Sequence, residues 1–304
     1  MSTDSEAGVW FGVFLPQLRM SFDTILERTL AAEAAGFDSV WLMDHLAAPA
    51  APEWDTLEGW TLAAGLATRT SRIRLGHLVT CDPFRHPAVL AKMAATVDAL
   101  SNGRLELGLG WGSVDDELRT FGIDAGPASE RAARLRETLE ILPRMFGGEP
   151  FDYAGAHYRL MGARGRPVPV QSRIPVHVGG AGPKLTMPLV RDFADWWNCP
   201  SYAADRLAEL RPLAGDARVS VQHPVGLAAG AGDRDEVGEI VARRFGSWGG
   251  VVTGAPAEVA SALEMDVELG ARGFVLQFHD FGTASTFERF MGEVAPAVRA
   301  ATSR

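Results

Sequence analysis

The chain has 304 residues, of which 47% are hydrophobic and 22% charged, and its formal net charge is −9. This composition is ordinary for a folded protein with a large core, and the acidity, without any Lys/Arg-rich run, argues against a nucleic-acid-binding protein. No segment approaches the ~20 apolar residues of a membrane span, and the polar, acidic start lacks the features of a signal peptide. We therefore expect a cytoplasmic protein that binds no nucleic acid and no membrane. Cys81 and Cys199, far apart and outside any His/Cys cluster, predict two free thiols and no metal site.

Apolar runs alternate with amphipathic segments along the whole chain. The first run closes at Pro16, and the first helix lies between an N-cap at Ser21 and a stop at Gly36. The clearest strand–helix–strand unit spans 72–112, where Pro87 begins the helix. The predicted strands are 9–15, 39–43, 73–79, 105–109, 174–178, 195–199, 218–227 and 274–278. The predicted helices are 22–35, 58–69, 87–100, 130–146, 185–193, 203–210, 233–245, 256–269 and 286–301.

Eight strands that alternate with helices predict a parallel sheet, and eight units favour an α/β fold closed as a (β/α)8 TIM barrel. We expect one domain over residues 1–304, with a hairpin-like insertion at 147–173 and a loop insertion at 246–256. In the helices, Glu130 is expected to pair with Arg134, and Asp233 with Glu236 is expected to form a capping pair.

Two histidines follow predicted strands, where such a barrel keeps its chemistry. His45, preceded by Asp44, ends strand two, and a histidine at the barrel mouth can move protons near neutral pH. His279 ends strand eight and is a second mouth histidine. A structural role is the alternative for each.

Three tryptophans, Trp54, Trp60 and Trp111, lie in or near strand ends and their loops. Their size and apolar rings predict the wall of a substrate pocket, and core packing is the alternative.

Glycines mark two strand ends. The loop 179–184 (GGAGPK) stands between a strand and a helix, so its backbone N–H groups, the helix dipole and Lys184 predict a phosphate-bearing ligand; the alternative is a tight turn that needs glycine for its geometry. Gly108, Gly110 and Gly112 lack the spacing of a dinucleotide fingerprint. They are expected to let a flat ligand lie close to the backbone, or to leave packing room beside Trp111. The acidic run 115–117 is interpreted as a solvated helix start.

Taken together, these motifs resemble the bacterial luciferase-like flavin-dependent enzymes, most closely the branch that uses the deazaflavin coenzyme F420. The resemblance covers nearly the whole chain. The segments that carry it are 36–46 (GFDSVWLMDHL), 70–112, 117–123 (ELRTFGI) and 174–198.

The resemblance implies a barrel with an insertion, often dimeric, and assigns roles to individual residues. His45 matches the histidine that faces the flavin and the substrate, and becomes the expected proton partner, with Asp44 beside it. Gly110 and Asp116 match positions that contact the ring. The strand-three end matches a bulge that commonly holds a non-proline cis peptide behind the ring; its residues are Leu78, Val79 and Thr80. The matching phosphate-binding loop consists of Gly179, Gly180, Ala181 and Gly182.

The sequence departs from the family pattern at three positions. Ala181 stands where close relatives usually have glycine, and Leu118 replaces a residue that is often polar. Ser113 stands where the sugar-phosphate dehydrogenases of the family carry a catalytic acid, which argues against that activity.

The expected function is therefore hydride transfer between coenzyme F420 and a small, hydrophobic organic substrate in a homodimeric enzyme. One alternative is an FMN-dependent monooxygenase supplied with reduced flavin by a partner reductase. Another is a non-catalytic protein that binds the flavin or deazaflavin.

Overall fold

The structure is a computed structural model that describes residues 8–124, 126–230 and 232–302. The strands are β1 (Trp10–Phe14), β2 (Ser39–Leu42), β3 (Arg74–His77), β4 (Thr80–Cys81), β5 (Leu105–Gly110), β6 (Phe151–Ala154), β7 (Arg159–Ala163), β8 (Val176–Gly179), β9 (Trp196–Cys199), β10 (Arg218–Leu227), β11 (Val252–Gly254) and β12 (Ala271–Phe278). The α-helices are α1 (Phe22–Ala35), α2 (Gly59–Ala67), α3 (Pro87–Ser101), α4 (Asp115–Thr120), α5 (Ala128–Gly147), α6 (Thr186–Phe193), α7 (Leu207–Leu210), α8 (Arg234–Phe245), α9 (Pro256–Glu268), α10 (Ala284–Arg289) and α11 (Ala295–Ala301).

Eight of these strands close a parallel barrel in the order β1, β2, β3, β5, β8, β9, β10 and β12, which returns to β1. Every pairing around the ring is parallel. The predicted (β/α)8 TIM barrel is thus confirmed. Because the strands are parallel, their carboxyl ends meet at one pole of the barrel, and the loops that leave this pole form the mouth.

Apolar side chains fill two layers. One large cluster lies between the strands and the surrounding helices, and Phe11, Phe274 and Phe290 are fully buried in it. A smaller cluster includes Trp41 and Val275, both fully buried. Burial of this kind contributes ~25 cal/mol per Å² of apolar area, which makes these two layers the main support of the barrel that positions the mouth.

The helix boundary signals of the first half behave as expected. Ser21 caps α1 by accepting a hydrogen bond from the backbone N–H of Thr24 at 3.2 Å, and Gly36 ends the helix in the left-handed region at φ +95°. Pro87 begins α3, and Asn102 ends it at φ +55°. In α5 the ion pair between Glu130 and Arg134 is present at 2.8 Å.

Several predicted elements differ in the structure. The segment 203–210 is not a single helix but a 3-10 turn (Ser201–Arg206), one α-helical turn and a further 3-10 turn (Arg211–Ala214). The closing segment 286–301 is interrupted by a π turn (Phe290–Val294). Asp233 does not form the expected capping pair, because its carboxylate accepts hydrogen bonds from the preceding backbone N–H groups of Ala229 and Gly230 at 2.7 and 2.8 Å.

The two stretches that break the rhythm are ordered in different ways. Strands β6 and β7 pair antiparallel within 147–173. In 246–256 the short strand β11 adds to β10, so this stretch is partly strand rather than loop. None of the described helices combines the length and apolarity needed to cross a bilayer. Residues 1–7, on which the signal-peptide argument rests, lie outside the described residues.

Candidate active site

The mouth holds a histidine–carboxylate pair that joins two elements far apart in sequence. His45 follows β2, and its Nδ1 lies 2.8 Å from Oε2 of Glu117 on α4. The other oxygen of Glu117 accepts hydrogen bonds from the backbone N–H groups of Leu46 and Ala47 at 2.7 and 3.1 Å. One carboxylate therefore fixes both the imidazole ring and the loop that follows it.

The ionisation of Glu117 decides which ring nitrogen of His45 is available. Burial raises the pKa of Glu117, but the hydrogen bonds from His45, Ala47 and Leu46 outweigh it and hold the pKa below the usual value. Glu117 is thus a carboxylate at neutral pH and can only accept a hydrogen bond. Nδ1 of His45 must donate, and Nε2 is left to exchange a proton at the mouth.

Asp44 is not a free acid–base group, which corrects its expected catalytic role. Its side chain is 3% exposed and forms a two-point ion pair in which Arg85 donates from Nη1 at 2.6 Å and from Nη2 at 2.8 Å. It also accepts a hydrogen bond from the backbone N–H of Cys81 at 2.7 Å. Asp44 therefore ties the end of β2 to the chain that follows β3 and positions its neighbour His45.

The expected bulge at the end of β3 is present, because Gly76 pairs with Glu106 and Thr80 with Leu109, which leaves an extra residue on the β3 side. The peptide bond between Leu78 and Val79 is cis. The side chain of Val79 fills the space that a Cβ would need on Gly110 and on Gly179, where the latter would approach it to 2.7 Å. A Cβ on Gly108 would strike the carbonyl of His77. These glycines therefore make room for the β3 bulge, a role that was not among those expected for Gly108, Gly110 and Gly179.

The loop after β8 has the features of an anion site. Gly180 adopts φ +123°, which glycine tolerates, and α6 has no side-chain cap at Leu185. The carbonyl of Gly182 accepts from the N–H groups of Thr186 and Met187 at 2.9 and 3.0 Å.

Four backbone N–H groups of this loop remain open. Those of Ala181, Gly182, Lys184 and Leu185 donate to no other residue that the structure describes. Unpaired N–H groups beside a helix N-terminus form a natural cradle for phosphate. The Ala181 departure leaves the cradle intact, because its backbone N–H is still available.

The three tryptophans have separate places. Trp111 is half-buried, and its Nε1 donates to Oγ1 of Thr186 at 3.1 Å, which joins the end of β5 to the phosphate cradle. Trp54 is 41% exposed on the loop after β2, with the guanidinium of Arg19 5.2 Å above its ring. Trp60 is 2% exposed in the core, so its assignment to the pocket wall is wrong.

The second mouth histidine stands apart from the first. The backbone N–H of His279 donates to the carbonyl of Val225 at 2.8 Å, and burial lowers the pKa of its ring. Its Nδ1 is buried without a hydrogen-bond partner among the described residues. Nothing in the described part of the chain links it to His45.

The acidic run 115–117 differs from the expectation at two positions. The side chain of Asp116, expected to contact the ring, is 89% exposed and pairs with Arg119 at 2.9 Å. Its neighbour Glu117, expected to be part of a solvated helix start, instead turns inward to His45. Buried Leu118 shows that one side of α4 packs inward, but adjacent residues of a helix point about 100° apart, so the sequence spacing does not identify Glu117 as an inward-facing residue.

The family model of luciferase-like monooxygenases matches residues 9–214, about two thirds of the chain. This chain belongs to the family of luciferase-like monooxygenases. The resemblance recognised from the sequence motifs is thereby confirmed.

Curated relatives within this family are named F420-dependent glucose-6-phosphate dehydrogenases. The one from Amycolatopsis mediterranei (strain U-32) is 34% identical over 165 residues, which cover 52% of this chain and 48% of the relative. The chain thus spans about half the length of this curated relative.

Solved structures of luciferase-like proteins share the fold. An F420-dependent secondary alcohol dehydrogenase in complex with an F420-acetone adduct superposes with a TM-score of 0.81 at 19% identity, covering 96% of this chain and 99% of that one. The oxygenating constituent of 3,6-diketocamphane monooxygenase of Pseudomonas putida, in complex with FMN, gives 0.78 at 19% identity, covering 95% and 98%. At 19% identity, this similarity shows that the barrel fold is shared. The chemistry has to be inferred from the residues of the site.

Proposed function

We propose that this protein is a coenzyme F420-dependent oxidoreductase that transfers a hydride between the deazaflavin and a small, hydrophobic alcohol or carbonyl compound. The observation that carries the proposal is the His45–Glu117 pair at the barrel mouth. The names of the curated relatives, which are F420-dependent dehydrogenases, support the choice of cofactor.

The residues present fit a phosphate-bearing deazaflavin. The open N–H groups of Ala181, Gly182, Lys184 and Leu185 would hold its phosphate, as backbone donors and a helix N-terminus commonly do. The bulge at Leu78 and Val79 would support the ring from behind. When bound, the deazaflavin supplies a carbon that accepts or gives a hydride.

His45 has the role of proton partner. Glu117 accepts from Nδ1, so Nε2 is positioned to take the hydroxyl proton of an alcohol or to return a proton to a carbonyl oxygen. Asp44, held by Arg85, keeps the start of this loop in place. His45 would therefore handle the proton at the substrate oxygen, and the bound deazaflavin would supply or take up the hydride at the substrate carbon.

The mouth favours a neutral, apolar substrate. Leu46, Trp54 and Leu57 on the loop after β2, together with Phe121 at the end of α4, are each between 38% and 47% exposed. Arg85, near the mouth, is committed to Asp44. With Ser113 in the position of the catalytic acid of sugar-phosphate dehydrogenases, these side chains support an apolar alcohol or ketone over a sugar phosphate.

Titration of the purified protein by fluorescence quenching with coenzyme F420, FMN and NADPH tests the cofactor assignment. We expect the tightest binding with F420, followed by reduction of F420 in the presence of short secondary alcohols and none with glucose 6-phosphate. Preferential binding of FMN would instead support the FMN-dependent monooxygenase, which the family model and the FMN-bound structural relative favour as second candidate. A protein that binds F420 tightly and turns over no alcohol or ketone would be a non-catalytic binder.

The family resemblance also supports a homodimer. Light scattering after size exclusion is expected to give twice the 32.6 kDa mass of the chain.

A further inference from the structure

A large cavity opens at the amino-terminal pole of the barrel, opposite to His45. Its volume is about 1290 Å³, which exceeds the ~300–1,000 Å³ of typical ligand pockets and leaves room for a sizeable organic molecule. The lining includes the first residues of several barrel strands, among them Trp10, Ser39, Arg74 and Arg218. No part of the proposed hydride-transfer chemistry uses this pole.

The cavity has a charge opposite to that of the whole protein. Six arginines and four carboxylates line it, whereas the chain carries a formal net charge of −9. Each carboxylate already has donors: for example, Glu33 accepts from the backbone N–H groups of residues 71–73, and Asp195 pairs with Arg173. Because the arginines outnumber the carboxylates, the electrostatic potential in the cavity favours an anion.

Arg218 is the arginine that remains uncommitted. Its guanidinium lies 4.4 Å above the ring of Trp196, a cation–π contact that holds it in place. Among the described residues it has no carboxylate or carbonyl partner for its guanidinium N–H donors. A planar group with five donors, fixed at the edge of a cavity, is suited to a carboxylate or a phosphate.

The floor of the cavity combines aromatic and ionic groups. The ring of His177 stacks on Trp196 at 5.8 Å and meets Trp41 edge-on at 4.8 Å. Its Nε2 lies 2.7 Å from Glu106, which also pairs with Arg74. Burial raises the pKa of Glu106, but His177 and Arg74 outweigh it and keep the carboxylate ionised.

This combination of side chains is unusual at the amino-terminal pole of a barrel, where residues normally serve stability. Barrel interiors are normally filled with branched aliphatic side chains, and a buried ionic cluster has to be fully paired because an unpaired buried charge is strongly destabilising. Trp10, half-buried at the rim, adds a ring that contacts Trp196 edge-on at 5.4 Å. Flat aromatic surface and uncommitted positive charge therefore lie side by side.

We propose that this pole is a second ligand site, which binds an organic anion with a flat aromatic body. The carboxylate or phosphate of the ligand meets Arg218, and its ring packs at the Trp10 rim. The site is independent of the proposed oxidoreductase activity, because its residues belong to the opposite end of the strands.

Calorimetric titration of the full chain with AMP and with indole-3-acetate tests the proposal, with adenosine and inorganic phosphate as the ring-only and charge-only controls. We expect at least one of the two aromatic anions to bind with a Kd below about 1 mM and to quench tryptophan fluorescence, and each control to bind at least tenfold more weakly. Arg218→Gln should weaken binding at least tenfold. Arg144→Gln is the matched control, since Arg144 stacks on Tyr153 at 5.5 Å in another part of the surface, and it should bind as the unmodified protein does.

Three results would overturn the proposal. The first is no binding of either anion by the full chain. The second is equal affinity in Arg218→Gln and the unmodified protein. The third is a loss of binding in Lys184→Gln but not in Arg218→Gln, because the anion would then occupy the phosphate cradle at the mouth.

Discussion

Glu117 carries three contacts at the mouth, so replacing it is expected to damage catalysis more than cofactor binding. Alanine removes the acceptor of His45 Nδ1 and of the N–H groups of Leu46 and Ala47. Hydrogen bonds to charged groups contribute ~1.5–3 kcal/mol each, and we expect the equivalent of one such bond to be lost in the transition state. That corresponds to a fall in kcat/KM of roughly 10- to 150-fold.

Glutamine separates charge from shape at the same position. The amide oxygen of Glu117→Gln can still accept from Leu46 and Ala47, but the negative charge opposite His45 is gone. We expect kcat/KM to fall about tenfold. The hydrogen bonds that hold the loop at Leu46 and Ala47, which the alanine variant loses, should be retained. Asp116→Asn is the matched control on the same helix, because that side chain is 89% exposed, and it should stay within about twofold of the unmodified protein.

The assay follows F420 reduction by the best secondary alcohol, with F420 titration in parallel. The cofactor Kd of both Glu117 variants should change less than about threefold, since the phosphate cradle lies on the β8–α6 loop. Because the pKa of Glu117 is below its usual value, the stability that its charge adds over glutamine is present above about pH 4.5 and is lost as the pH falls through the folded-state pKa. Unmodified kcat/KM in the alanine variant would refute the positioning role.

Three further changes test the supports of the site. Gly110→Ala places a methyl group against Val79 and should lower the free energy of unfolding, measured by urea titration, by ~1–3 kcal/mol. The double variant Gly110→Ala/Val79→Ala should recover part of that loss. If it recovers none, the contact between residues 110 and 79 is contradicted. Asp44→Ala leaves the buried guanidinium of Arg85 without its carboxylate partner and should lower the free energy of unfolding by ~3–5 kcal/mol, which urea titration would show as a lower midpoint. A midpoint equal to that of the unmodified protein would contradict this expectation. Burial raises the pKa of Asp82 to about 6 from 3.8, so ionisation of this carboxyl destabilises the fold as the pH rises from 4 to 6. At pH 7, Asp82→Asn should therefore have a free energy of unfolding up to ~3 kcal/mol higher than that of the unmodified protein. This difference should vanish near pH 4.

The barrel was predictable because its signals are local. Apolar runs, Ser21, Gly36 and Pro87 each act within a few residues, and parallel closure follows from the number of alternating units. Elements that depend on distant packing were not predictable in the same way. The short strand β11 forms only because β10 offers it an edge. The predicted helix 203–210 is divided into short turns although this stretch contains neither glycine nor proline.

The same distinction between local signals and distant partners applies to the residues of the candidate site. His45 could be located from its place after a strand, since a strand end fixes which pole a residue faces. Glu117 could not, because its inward turn depends on a loop 71 residues earlier that presents one imidazole nitrogen and two backbone N–H groups to it. The same reasoning explains the opposite error at Asp44. A carboxylate next to a mouth histidine suggests acid–base chemistry until Arg85, 41 residues later, is found to occupy both oxygens. Residue type and position therefore predict that a group lies at the mouth, but only the partners brought in from elsewhere decide whether it holds a proton or holds its neighbour in place.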